Sequence, residues 1–207
     1  MGEGDLAVYK RQAAERGAWV CFVDETGQSL CPPKGRTWAR RGQTPIVTVS
    51  GKRSGRVSVA GLVCVKPGHR TRLIYRTITF HGRKNEPKGF GVRDFKRLLE
   101  AAHQQLGGPL VIVWDNLPAH VCAGMRQFID EHDWLMVVQL PSYAPELNPA
   151  EGIWANLKGH LANLAVRGGI DHLAAIIKHH LKRLQYRPDL LNAIIAQTEL
   201  ILEPEPP

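Results

Sequence analysis

Two short stretches of this chain are apolar at every position: Ala18-Trp19-Val20-Cys21-Phe22-Val23 and Leu110-Val111-Ile112-Val113-Trp114. Runs this short, with no polar alternation, predict strands covered on both faces. Weaker, partly alternating β-branched patterns over Pro45–Val49, Val57–Val65 and Arg72–Phe80 predict half-buried strands, the first two joined by a hairpin turn at Lys52-Arg53-Ser54-Gly55-Arg56. Phe95, Leu98, Leu99 and Ala102 then recur at three- and four-residue spacing, predicting a helix over Val92–Leu106 that stops at Gly107-Gly108. A helix over about Ala119–His132 and a strand over Trp134–Val138 follow. Ile153, Trp154, Leu157, Leu161 and Leu164 form one face of a helix over 149–164. Past Gly168-Gly169, Leu173, Ile176, Ile177, Leu181 and Leu184 define an amphipathic helix whose other face carries Lys178, His179, Lys182 and Arg183. A last helix fits Leu190–Leu202. Glu203-Pro204-Glu205-Pro206-Pro207 is too proline-rich to fold and is expected to be a loose tail.

Each fully apolar run is followed at once by an acid, Asp24 after the first and Asp115 after the second. An Asp just past a buried strand lies in the crevice at the carboxyl ends of an α/β sheet, where such sheets bind ligands. Glu151 falls in the first turn of the 149–164 helix, announced by Asn148 as cap and Pro149 at the first helical position. Three carboxylates from two strand ends and one helix start can meet at a point, and oxygen ligands of this kind suit hard divalent cations. Taken singly, each acid has a structural explanation. An Asp after a strand serves as a turn residue or cap, and Glu151 is what a capping box places three residues after Asn148.

The sequence around the acids carries a resemblance. Val23-Asp24-Glu25-Thr26-Gly27, Trp114-Asp115-Asn116-Leu117-Pro118-Ala119-His120 and Leu140-Pro141-Ser142-Tyr143-Ala144-Pro145-Glu146-Leu147-Asn148-Pro149-Ala150-Glu151-Gly152-Ile153-Trp154 together resemble the catalytic core of mariner-superfamily DDE transposases, in particular their bacterial insertion-sequence branch. The second and third acids are separated by 35 residues, a spacing this group shows, and the resemblance runs from about Trp19 to Leu164. It implies an α/β, ribonuclease-H-like fold: a mixed five-stranded sheet with helices on both faces, which the order of elements also suggests. It further implies a short N-terminal segment over 1–17, a catalytic domain over 18–165 and a C-terminal helical extension with its tail over 166–207.

The implied activity is metal-dependent DNA strand cleavage and strand transfer by phosphodiester hydrolysis and transesterification. The cofactor would be Mg2+, with Mn2+ as a substitute. Two ions about 4 Å apart can activate the attacking oxygen and stabilise the leaving one without a covalent enzyme intermediate. Asp24 is the candidate to bridge them, with Asp115 and Glu151 completing one shell each; magnesium keeps several waters, so three acids suffice. By the same resemblance, Asn116, His120 and Asn148 support the site. His120 either touches a phosphate or positions Asp115, unless it is a plain polar residue early in a helix. Glu25 either supports the site or faces solvent.

Charge adds a partner. The net charge of +8 is unevenly spread: Lys34 to Arg97 holds 17 Lys and Arg against only Glu86 and Asp94, leaving the remainder of the chain net negative. A basic half beside an acidic trio suits an enzyme that acts on a polyanion, with cations tracking the backbone. The expected DNA-binding residues are Lys34, Arg36, Arg40 and Arg41 in the first basic loop and Lys52, Arg53 and Arg56 in the predicted hairpin. Trp38, set among the first group, either stacks on a base or, as the preferred reading, anchors its loop to the core. The expected partners are transposon-end and target DNA, further copies of the chain, and a separate helix-turn-helix half, since complete relatives carry such segments ahead of the core. Only about 17 residues precede the first strand, too few for a recognition helix. Val8-Tyr9-Lys10-Arg11-Gln12 also resembles the translation of a common sequencing-library transposon end, so a non-native N-terminal segment is expected.

Other classes fit less well. No apolar stretch reaches the length of a membrane span, and no export signal precedes the first strand, so a soluble, cytoplasmic protein is expected. Cys21, Cys31, Cys64 and Cys122 have no paired spacing, which argues against disulfides or zinc and for core thiols at Cys21 and Cys64. His172, His179 and His180 lack a carboxylate or Cys at ligand spacing and suit a solvated helix face. An aspartyl-nucleophile phosphatase would need a second Asp two residues after Asp24, where Thr26 stands. An inactive transposase remnant that only binds DNA is the other alternative.

Overall fold

The computed structural model describes residues 11–43, 45–46, 48, 55–141 and 147–198. Five strands, β1 (Trp19–Gln28), β2 (Arg56–Val65), β3 (Arg72–Phe80), β4 (Leu110–Trp114) and β5 (Leu135–Gln139), form one sheet in the order β3-β2-β1-β4-β5. β1 pairs antiparallel with β2 and parallel with β4; β2–β3 is antiparallel and β4–β5 parallel. Residues 11–15 are helical ahead of β1, and the helices that follow are α1 (Val92–Leu106), α2 (Pro118–Val121), α3 (Ala123–Asp130), α4 (Pro149–Leu161), α5 (Gly169–Gln185) and α6 (Pro188–Ala196).

Alternation along β1 and β4 divides the interior into two cores. Val20, Phe22, Val111 and Val113 point to one face, where Ile153, Trp154 and Leu157 of α4, Ile177 and Leu181 of α5 and Leu191 of α6 cover them. Trp19, Cys21, Val23, Ile112 and Trp114 point to the other, against Phe95, Leu98 and Leu99 of α1 and Met125 and Phe128 of α3. Burial on both faces explains why these two strands are apolar throughout. Cys21 and Cys64, opposite each other across β1–β2, are buried free thiols, as expected.

Several boundaries depart from the sequence expectation. β1 continues five residues beyond Val23, so Asp24 lies inside the strand rather than past it. Pairing to β4 stops at Phe22–Val113, but pairing to β2 continues to Gln28–Val57, which holds the polar segment extended. Pro45, Ile46 and Thr48, the described part of the predicted 45–49 strand, belong to no strand. Both edges of β2 are taken, by β1 and β3, and Ile46 is exposed. Lys52 and Arg53 of the predicted hairpin turn lie outside the described residues. The helix expected over 119–132 is broken at Cys122, whose backbone is extended. α4 ends at Leu161, since Ala162 turns extended and Asn163 takes a left-handed φ of 58°. α1 runs as expected and stops at Gly107, left-handed at φ 65°. No helix among the described residues is long and apolar enough to cross a membrane.

Candidate active site

Parallel pairing of β1 and β4 brings the first two acids to one level. Two residues beyond the last paired positions, Phe22 and Val113, come Asp24, still within β1, and Asp115, one residue past the end of β4. By alternation, Asp24 shares the face of Val20 and Phe22, which α4 covers, and Glu25 takes the opposite face.

α4 is fastened to β1 at this level from both ends of its first turns. Asn148, its buried cap, accepts from the Ala150 amide at 3.1 Å and donates its own Nδ2 to the Val23 carbonyl at 3.2 Å. One turn on, the Trp154 indole N–H donates to Asp24 Oδ2 at 3.0 Å. Glu151 sits between these two fastenings, exposed, with its amide bonded to the Asn148 carbonyl. Trp154 reaches Asp24 because Gly61 lies opposite Asp24 on β2: a Cβ there would stand 2.8 Å from the indole ring.

Electrostatics tie the acids together. Burial, with the charges of Glu151 and Asp115, pushes the Asp24 carboxyl up to about 6, although the Glu25 amide at 2.8 Å and the Trp154 indole stabilise its ionised form. Burial likewise raises Glu25 to about 7, aided by Asp24 and Asp115 and opposed by His120 and Arg56. Glu25 is half-buried, and its Oε1 is enclosed without a hydrogen-bond partner. Asp115 moves the other way. His120 Nδ1 lies 2.9 Å from its Oδ1, and with the Leu117 amide at 3.1 Å this holds the carboxyl below the usual range.

His120 is buried and stacks on Trp114, with ring centroids 4.1 Å apart and planes within 3°. Phe95 meets its edge at 4.6 Å. It is thus a fixed partner of Asp115 rather than a solvated helix residue. Asn116 donates to the Leu140 carbonyl at 3.3 Å, joining the β4 turn to the end of β5.

Among the described residues, no three His, Cys, Asp or Glu side chains close into a ligand cage. The donor set still suits a hard divalent ion: Asp24, Asp115 and Glu151 offer oxygen ligands only, and their charges act on one another in a way a cation would relieve. Magnesium needs one or two carboxylates and completes its shell with water.

The basic residues stand apart. Lys34, Arg36, Arg40 and Arg41 are all exposed on an irregular loop. Its root is clamped to the far end of α4: Asn163 bonds both the amide (3.1 Å) and carbonyl (2.9 Å) of Gly35, and its own amide reaches Pro33 O at 3.0 Å. One helix of 13 residues, about 20 Å at 1.5 Å per residue, therefore carries Glu151 at its start and the loop's anchor just past its end. Trp38 is 98% exposed, which overturns its expected role as a core anchor; Pro33, Gly35 and Asn163 do that work. Arg56 opens β2 and lies against Gly27, where any side chain would collide with its guanidinium, and it acts on Glu25.

Sequence reasoning missed Trp154, Gly61 and Asn163. In the sequence Trp154 reads as part of the core face of its helix, and its place three residues after Glu151 is the available signal.

The pattern of the DDE superfamily endonucleases matches residues 19–169. No curated protein sequence matches. Among solved structures, a Mos1 transposase paired-end complex with left transposon end is similar at 15% identity and TM-score 0.62, over 97% of this chain and 61% of that one. A mariner Mos1 paired-end complex with Mg gives 16% identity and TM-score 0.62, over 97% and 58%. The catalytic domain of Mos1 mariner transposase gives 15% identity and TM-score 0.53, over 95% and 89%. This chain thus spans about three fifths of the Mos1 chains in those complexes and most of their catalytic domain. The likeness establishes a ribonuclease-H-like fold, and the pattern over most of its length makes the chain a member of the DDE superfamily endonucleases.

Proposed function

We propose that this is the catalytic domain of a transposase of the bacterial insertion-sequence branch of the mariner superfamily, and that it cleaves and rejoins DNA strands. The observation that carries the reading is the level placement of Asp24 and Asp115 on adjacent parallel strands, with the Glu151 helix fastened to Asp24 by Trp154 and Asn148.

Asp24, Asp115 and Glu151 would hold Mg2+ or Mn2+. Such ions, when bound, neutralise phosphate charge and acidify an attacking water. The chain's own residues do the positioning. Trp154 fixes the rotation of the Asp24 carboxylate, and His120, immobilised between Trp114 and Phe95, aims Asp115. The exposed Lys34, Arg36, Arg40 and Arg41 supply phosphate contacts that carry no sequence information. Transposon-end and target DNA, self-association and a separate helix-turn-helix half belong to this proposal as partners.

Nicking of labelled duplex DNA tests it. Wild type should nick many sequences with Mg2+ or Mn2+ and not with EDTA. Asp24→Ala, Asp115→Ala and Glu151→Gln should each lower the rate by about 10²–10³-fold or more, the scale seen when one charge-stabilising group is removed. Nicking that survives these changes, or needs no metal, would refute the assignment. A chain that binds DNA but never nicks would be the inactive remnant.

A further inference from the structure

β3 is an edge strand, and α5 packs beside it to leave an open groove of about 590 Å³. Two bonds build it. The Tyr75 hydroxyl donates to the Lys178 carbonyl at 3.1 Å, and Gln185 Nε2 donates to the Leu73 carbonyl at 2.7 Å. Its charged lining is wholly basic: Lys178 and Lys182 from α5 with His179 between them, and Arg76 at the open edge of β3, one position past Tyr75 and so alternating to the other face of the sheet. All four are exposed, and the three cations have no ion-pair partner among the described residues. Asp171, the only acid in α5, lies in its first turn, where its Oδ1 is 2.9 Å from His81 Nε2. Lys178 and Lys182 are one turn apart, where like charges repel. The groove thus gathers cations from two elements, with no ion-pair partner for them among the described residues.

Its place relative to the catalytic strand is set by register. Asp24 pairs with Gly61, and Gly61 with Tyr75, so the floor of the groove lies two strand spacings, about 10 Å, across the sheet from Asp24. At about 3.4 Å of rise per nucleotide, that is the span of about three nucleotides of one strand.

We propose that the β3–α5 groove binds the phosphodiester backbone of duplex DNA flanking the strand held at Asp24, as a contact surface separate from the Lys34–Arg41 loop. This rests on the reading of DNA as substrate. Arg76 offers a fork to one phosphate and the two lysines act as point charges, so recognition is of backbone and not of sequence. In the sequence, Lys178, His179 and Lys182 look like one solvated helix face, because Arg76 lies a hundred residues away.

Fluorescence anisotropy of a labelled duplex in EDTA, over a range of salt concentrations, tests the groove. The full chain is compared with the triple variant Arg76→Gln, Lys178→Gln, Lys182→Gln, and with Lys178→Glu, Lys182→Glu as an independent second variant. The triple variant should bind at least about tenfold more weakly at low salt, and its slope of log K against log salt should shrink by about 2–3, near 0.9 per lost phosphate contact. Its melting temperature should hold, since all three side chains are exposed, and charge reversal should weaken binding in the same way. Unchanged affinity and slope in both variants would overturn the groove while leaving the active-site reading intact. A defect confined to duplex RNA would overturn it in favour of that ligand. Absence of DNA binding by the wild type would overturn both readings, whereas nicking by Asp115→Ala at the wild-type rate would overturn only the active site.

Discussion

Asp24 and Asp115 stand at one level of two neighbouring parallel strands, yet their surroundings drive them in opposite directions. Asp24 lies within a strand, under α4, and burial with the charges of Glu151 and Asp115 raises it to about 6. Asp115 lies past its strand, half open to solvent, where His120 lowers it. Position along the strand makes the difference. Continued pairing to β2 carries Asp24 into the interior, whereas β4 stops and lets its acid turn outward to meet an imidazole. One carboxylate is held in place by desolvation and an indole, the other by a buried ring. A bound cation would favour ionisation of the first and find the second already ionised.

The sharpest way to break this contrast is to remove the imidazole. His120→Ala empties a site walled by Trp114 and Phe95 and should cost about 3 kcal/mol, as large-to-small changes at buried aromatic positions do. His120→Phe separates structure from positioning. It keeps the stacking and deletes the donor to Asp115, so thermal stability should stay within about 1 kcal/mol of wild type. Metal-dependent nicking should still fall about 10–100-fold, the usual effect of losing a group that orients a ligand. Full activity in His120→Phe would show that the ring only fills space.

The Asp24 side can be probed through Gly61. Gly61→Ala places a methyl 2.8 Å from the Trp154 ring, so the indole must shift and its bond to Asp24 must stretch or break. Overpacking of this kind costs about 1–3 kcal/mol. Chemical denaturation should report that loss and tryptophan emission should move with it; unaltered emission and stability would mean that Trp154 has room the geometry does not indicate.

How far this site was legible depends on whether a residue's neighbours were close in sequence. Apolar runs marked β1 and β4, and periodicity marked α1, because full burial and a 3.6-residue repeat leave unambiguous traces. The extension of β1 through Asp24-Glu25-Thr26-Gly27-Gln28 left none: the apolar run ends at Val23, and only β2, some 30 residues later, holds the polar residues extended. Trp38 misled for the same reason. Aromatic character suggested burial, but the loop's anchor is Asn163, 128 residues beyond Gly35. Trp154 looked like core and is core; that its N–H also meets Asp24 depends on a glycine in another strand.

The smallest effect expected is on the pH dependence of stability in metal-free protein. The Asp24 carboxyl has its folded value raised from 3.8 to about 6, so over that interval the folded chain keeps a proton that the unfolded chain has released. Stability from this group is therefore full below about pH 4, declines as pH rises through 4 to 6, and stays lower above. Glu25 acts in the same sense between about 4.5 and 7, and Asp115 in the opposite sense, contributing above its unfolded value and losing that contribution only in stronger acid. Asp24→Asn removes the buried ionisation while leaving an oxygen for the Trp154 indole. It should raise metal-free stability by about 1 kcal/mol at pH 8, a fraction of the full shift because the amide no longer accepts from Glu25 N, and by little or nothing at pH 4. Saturating Mg2+ should reverse the order at pH 8, stabilising the wild type and not the variant. Urea melts at the two pH values, with and without Mg2+, measure all four states. Equal stabilisation of Asp24→Asn at both pH values would mean that Asp24 is not raised, and that the contrast with Asp115 is one of exposure alone.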